Sequence, residues 1–146
     1  MTIKKAKAEA IAAAQPKKIY KSIKQLKLMP AKLVLQDEDG PMLGEDGLPI
    51  TVTVLSAGTR QAALSTEALE QERAHAEELG ENTLETKWIR NGKYIASVLQ
   101  GWTHPEFFGA ECSTEYAETL FSDHELNEIG EQILDYATKR ENFIAK

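Results

Sequence analysis

The six residues Ile50-Thr51-Val52-Thr53-Val54-Leu55 constrain this chain more than any other stretch. Apolar and Thr side chains alternate along them, a period of two that a β-strand converts into one apolar face of Ile50, Val52 and Val54. Such a strand needs a hydrogen-bonding partner and a cover for that face. A short β-prone run, Lys32-Leu33-Val34-Leu35-Gln36, offers the partner. Between them, residues 37–49 are acidic and hold the pairs Asp39-Gly40 and Asp46-Gly47, which supply the positive φ that tight turns require. The spacing predicts an antiparallel hairpin with a long acidic tip. Residues 37–46 contain five acids, but EF-hand ligand spacing and its closing Glu are absent, so a solvated turn is expected and not a calcium loop.

Helical patterns downstream are the candidates to cover the strand. From Gly58 to Leu79 the chain is rich in Glu, Ala, Gln and Arg, with Ser56 or Thr59 as cap and Gly80 as terminator. Its stripe of Leu64, Ala68, His75 and Leu79 is thin, and a lone His on such a stripe reads as a packing or surface residue. Leu84, Trp88, Ile95, Ala96 and Leu99 form a stronger stripe, interrupted at Asn91-Gly92, with Gly101 at the C′ position and Trp102 covering the helix end. Trp102 reads first as core packing, with an interface role as the other reading. Residues 103–111 read as a loop with two adjacent aromatics, Phe107 and Phe108. Adjacent side chains diverge, so one is expected buried and the other exposed as a contact point. Ser113 caps a short helix over 114–121. Ser122 and Glu125 have capping-box spacing and open a last helix with Leu126, Ile129, Ile133, Ala137, Arg140 and Ile144 in a stripe, flanked by Leu134 and Phe143.

Composition excludes several classes. The chain has 146 residues, 42% of them apolar, which fits one domain and an arm better than two domains. No stretch approaches 18 consecutive apolar residues, so no membrane span or membrane partner is expected. Ala10 to Ala14 is too short and too weakly apolar for a signal peptide, and it ends at Gln15-Pro16. The single cysteine, Cys112, precludes an internal disulfide and a cysteine metal cluster, and fits a reducing compartment. Cys112 lacks the surroundings of a known cysteine enzyme, and His75, His104 and His124 lack metal-ligand spacing. No phosphate-binding Gly loop, nucleophile elbow or zinc-protease motif occurs. Neither an enzyme nor a cofactor is expected.

The net charge of −6 hides an asymmetry. Residues 1–34 hold nine Lys and one Glu, whereas residues 35–146 hold eight Lys or Arg against 22 acids. Residues 1–30 therefore read as a basic, mobile arm, with Lys4 to Gln15 helical by propensity and stopped by Pro16. Ile19 to Leu28 fits either a helix face or an irregular strand. The arm holds one aromatic, Tyr20, and no Arg, so it serves base stacking and bidentate phosphate contacts poorly. A protein-contacting tail, or a fold-back onto the acidic body, is the expectation ahead of nucleic acid. The fold class expected is α+β: a small antiparallel hairpin or sheet packed against C-terminal helices, in one domain over 31–146.

The order of these parts resembles the tail assembly chaperone family of tailed bacteriophages. The resemblance runs through Leu33-Val34-Leu35, the acidic turn from Gln36 to Pro49, and Ile50 to Leu55. It continues through the charged helix from Arg60 to Leu79, Ile95 to Gly101-Trp102, Ser113-Thr114-Glu115-Tyr116-Ala117, and Arg140-Glu141-Asn142-Phe143. It covers roughly residues 30–146. The Lys-rich arm is longer and more basic than the family pattern, and Phe107-Phe108-Gly109 stands where an Asp-Gly-Glu-Pro-like turn is often found. The resemblance implies a non-catalytic factor in the cytoplasm of a bacterial host. It would bind the tape-measure protein and tail-tube subunits, with homo-oligomerisation left open. Trp102, Phe107, Phe108, Arg140 and Phe143 are the candidate partner-binding residues. The alternatives are a structural tail-tube or baseplate accessory protein of the virion, and a nucleic-acid-binding module acting through the Lys-rich arm.

Overall fold

The computed structural model describes residues 19–144. The helix expected over Lys4 to Gln15 lies outside them. Among the described residues there are five strands: β1 (Ala31–Val34), β2 (Gln36–Asp37), β3 (Gly40–Pro41), β4 (Thr51–Val54) and β5 (Leu99–Trp102). The α-helices are α1 (Arg60–Glu78), α2 (Leu84–Val98), α3 (Pro105–Phe108), α4 (Thr114–Phe121) and α5 (Asn127–Ala137). Short 3-10 turns occupy Ile23–Leu26, His124–Leu126 and Arg140–Asn142. The architecture is α+β, with a three-stranded antiparallel sheet in the order β1-β4-β5 and a separate two-stranded ladder, β2-β3.

The alternating strand is the centre of the sheet. β1 pairs with β4 in the register Leu33 with Val52 and Ala31 with Val54. Ile50, Val52 and Val54 are all buried, as the period of two requires. The acidic tip of this hairpin is itself a folded extension. Leu35, fully buried, donates its N–H to Ile50 O (3.0 Å) and accepts from Met42 N (2.8 Å), which turns the chain back on itself. β2 and β3 then close a tight turn with Gly40 at φ +119°, and a second turn at Asp46 places Gly47 at φ +78°. Both Asp-Gly pairs therefore do what their chemistry allows. Asp37 and Asp46 each accept a backbone N–H two residues on, Asp37 from Asp39 (2.8 Å) and Asp46 from Leu48 (3.0 Å).

The third strand was not foreseen. α2 ends at Val98, and Gly101-Trp102 pairs with Thr53 and Val52 in β5; it does not terminate a helix. The helical stripe expected to reach Leu99 is cut short because β4 has a free edge whose N–H and C=O groups demand partners. α2 also runs unbroken through Asn91-Gly92. Gly92 is where α4 crosses closely: a Cβ there would lie 2.7 Å from Glu118 O and 2.5 Å from Ser122 Oγ. The residue read as a helix breaker is a helix-packing contact.

α1 packs against α2 through a different face from the one expected. Leu64 and Leu79 are exposed, and the inward side runs through Ala62, Leu69, Arg73 and Ala76. Only Ala62 is fully covered, so small and long-stemmed residues sit inward where apolar counting favoured Leu. Of the two candidates Ser56 and Thr59, Thr59 caps α1, and Ser113 caps α4 as expected, their hydroxyls accepting from Ala62 N (3.3 Å) and Tyr116 N (3.1 Å). The capping box at Ser122 is absent. Its hydroxyl donates back to Glu118 O (2.6 Å), and Asp123 accepts from Glu125 N (2.9 Å) to open the following turn.

α5 stops at Ala137 instead of reaching Ile144. Asn142 Nδ2 donates to Tyr136 O (3.0 Å), satisfying a terminal carbonyl while the chain folds back to bury Phe143 against the Tyr136 ring. Phe143 O accepts from Met29 N (2.8 Å), and the Arg140 guanidinium donates to Leu26 O (3.2 Å). The segment before β1 is thus clasped by the segment after α5. α5 also covers the open edge of β1 and the start of β2: Tyr136 OH donates to Lys32 O (3.1 Å), and the Gln132 amide exchanges two 2.8 Å bonds with Gln36.

Two substitutions test this packing. Phe143→Ala should lower stability by about 3 kcal/mol, read as a drop in the urea midpoint, because the ring is buried; an unmoved midpoint would place the ring at the surface. Gly92→Ala should destabilise although helix propensity alone predicts a gain of about 1 kcal/mol; a raised midpoint would remove the close α2–α4 crossing.

Candidate partner interface

Three of the five candidate residues converge at one corner. β5 delivers Trp102, and α3 delivers Phe107 and Phe108 a few residues later. The pair lies in a single helical turn and not in a loop, because Pro105 opens it and Gly109 closes it. The expected divergence holds: Phe108 is buried at 6% exposure and Phe107 stands out at 43%. Trp102 stacks on Phe108 with ring centroids 4.2 Å apart, and Phe107 meets Phe108 edge-on at 5.0 Å. Trp102, half-buried, donates its indole N–H to Ala110 O (3.0 Å). Tyr116 of α4 donates to Phe108 O (2.5 Å) and faces Trp102 edge-on.

Beside Phe107 lies an apolar slot of about 80 Å³, lined by Phe107, Phe108, Leu120, Phe121, Leu126 and Ile129. It is far below the roughly 300 Å³ at which small-molecule sites begin. Its size suits the tip of one partner side chain. The exposed ring and slot together form a rigid aromatic knob beside a hole.

Arg140 and Phe143 are elsewhere, in the clasp on Leu26 and Met29. Phe143 is buried, so it shapes the surface without touching a partner, and the Arg140 guanidinium is engaged with backbone.

A polar latch that local sequence could not reveal lies next to the corner. His104 is 4% exposed, with Nε2 3.0 Å from Asp46 Oδ1 and Nδ1 2.7 Å from Thr103 Oγ1. A carboxylate only accepts, so Nε2–H is the donor in the first bond. The latch joins the acidic turn to the start of α3. The His104 hydrogen bond, followed by the Leu48 N–H, holds the Asp46 carboxyl below its ordinary range. The partners are 58 residues apart, and no motif links them.

Cys112 is half-buried, and burial, aided by Glu111, pushes its thiol pKa up, away from the nucleophilic thiolate. Among the described residues no cluster of three or more His, Cys, Asp or Glu could hold a metal ion, and no helix is long and apolar enough to cross a membrane. No protein-family model, curated protein or solved structure matches this chain.

Two expectations follow. Phe108→Ala should cost about 3 kcal/mol while Phe107→Ala leaves the thermal midpoint nearly unmoved; equal losses would show both rings to be core. Asp46 has a folded pKa below its unfolded one, so its contribution is full above the ordinary carboxylate range and disappears as pH falls through the folded value. Urea midpoints of the wild type and Asp46→Asn should therefore differ at pH 7 and converge in acid. A difference that grows on acidification would reverse the sign of the latch.

Proposed function

We propose that this chain is a non-catalytic assembly factor of tailed-phage type, a tail assembly chaperone that holds the tape-measure protein in the host cytoplasm and presents it to tail-tube subunits. The observation that carries this reading is the aromatic corner. Phe107 projects from a turn fixed by Trp102, Phe108 and Tyr116, beside a slot sized for one apolar side chain. An amphipathic helix offers such side chains at intervals of three and four residues, and recognition by a knob and a hole is the mode that suits a long helical client. Contact through one exposed ring and one small slot buries little area, which favours release over permanent association. The ordered motifs from Leu33 to Phe143 that resemble the family add to this reading, although Gly101-Trp102 lies in β5 and does not close a helix.

Co-expression with the tape-measure protein of the same phage tests the proposal. The wild type should keep the client soluble and co-purify with it, and Phe107→Asp should lose the client at an unchanged thermal midpoint. Failure of the wild type to bind the client, or its stoichiometric presence in purified virions, would overturn the proposal.

A further inference from the structure

Four carboxylates meet across one groove of this protein. The β2–β3 turn contributes Asp37, Glu38 and Asp39, and the first turn of α5 contributes Glu128. The groove between them has a volume of about 350 Å³ and a floor of Met42 and Ile129, both packed half-buried against the core. No cation lines it, and among the described residues none of the four carboxylates makes an ion pair. Its walls are set before anything binds: Asp37 accepts the Asp39 N–H within the turn, and the Gln132 amide ties Gln36 to α5. Like charges held this close repel one another, and a cationic occupant relieves that cost.

The complementary segment is on the same chain. Residues 1–18 precede the described residues and hold Lys4, Lys5, Lys7, Lys17 and Lys18 against Glu9 alone, with Ile3 and Ile11 to meet an apolar floor. The chain enters the fold beside α5: Leu26 and Met29 are bound by Arg140 and Phe143 in the clasp that follows its C-terminal end. From there β1 runs back along α5, with Lys32 at Tyr136 and Gln36 at Gln132, to the groove itself. α5 is about 16 Å long at 1.5 Å per residue, whereas 18 extended residues span up to roughly 60 Å. Reach is ample, and tethering raises the effective concentration to the order of millimolar. The two grooves along α1 carry Arg73, Lys87, Arg90 and Lys93, which turn a lysine segment away.

We propose that residues 1–18 seat in the β2–β3/α5 groove of their own molecule, with Lys4, Lys5 and Lys7 facing its carboxylates and an isoleucine on Met42 and Ile129. Ile129 also lines the slot beside Phe107, so the seated segment borders that slot. On the client-binding reading of the aromatic corner, the segment covers the site until a client displaces it; the seating itself does not depend on that reading.

Paramagnetic relaxation measured by NMR on the full chain tests the seating. A nitroxide on Ala8→Cys, in a Cys112→Ser background, should broaden the amide signals of Asp37, Glu38, Asp39 and Glu128 in the same molecule. The broadening should be lost in Lys4→Glu/Lys5→Glu/Lys7→Glu, in Glu38→Lys/Glu128→Lys, and at about 1 M salt, where the Debye length is about 3 Å. Both groove positions are exposed, so the groove variant should keep wild-type circular dichroism. Absence of the broadening in the wild type at low salt, or its survival in either charge-reversed variant, would overturn the proposal. Equal broadening between a spin-labelled molecule and a separate isotope-enriched one would also overturn it, by seating the segment on a second copy. With the tape-measure protein, the triple Lys variant should capture more client than the wild type. Equal capture would remove the covering role, and no capture by either protein would remove the client reading while the seating stands on its own signals.

Discussion

Ile50, Val52 and Val54 leave the central strand in one direction, and the remainder of the fold exists to keep that row dry. β4 is paired on both sides, by β1 and by β5, so its backbone is satisfied without help from water. The row itself is covered by Ile95, Ala96 and Val98 of α2, Ala117 and Phe121 of α4, and Ile133 and Ala137 of α5. Leu35 closes the end of this core, where the backbone bonds to Ile50 and Met42 turn the acidic segment back. The core is small, and its closure at the ends of the chain matters accordingly.

That closure comes from the clasp. Phe143 inserts under the last turn of α5, its carbonyl holds Met29, and Arg140 holds Leu26. Tyr136 occupies a carbonyl on the β1 edge and Gln132 the backbone groups of Gln36 in β2, which would otherwise template another strand. α1 is tied down far less: one of its 19 residues is fully buried, and its ion pairs are exposed. Exposed pairs of this kind contribute little. α1 is accordingly the element expected to open at the lowest free energy.

The surface features divide by rigidity. The aromatic corner is fixed from beneath by a stacked Trp102–Phe108 pair and two hydrogen bonds to backbone carbonyls. The acidic extension is fixed by paired turns and by the His104 latch. Both present apolar side chains from a backbone that does not need to order on contact, and this is how small areas achieve useful affinity.

The sequence by itself determined the strand over residues 50–55, its apolar face, both Asp-Gly turns, the cap at Ser113, and that Phe107 and Phe108 can part, one buried and the other exposed. Each of these follows from chemistry within a few residues: alternation, positive φ, a hydroxyl beside free N–H groups, or the divergence of neighbouring side chains. Tertiary structure alone decided that Gly101-Trp102 is a strand, that Gly92 is a crossing point, and that α5 stops early so that Phe143 can turn under it. It also decided that Ala62, Leu69 and Arg73, and not Leu64 and Leu79, face inward from α1, and that His104 finds Asp46. The physical reason is common to all of them. An unpaired strand edge, a neighbouring helix backbone and a distant carboxylate impose their demands across tens of residues, where periodicity and propensity carry no information.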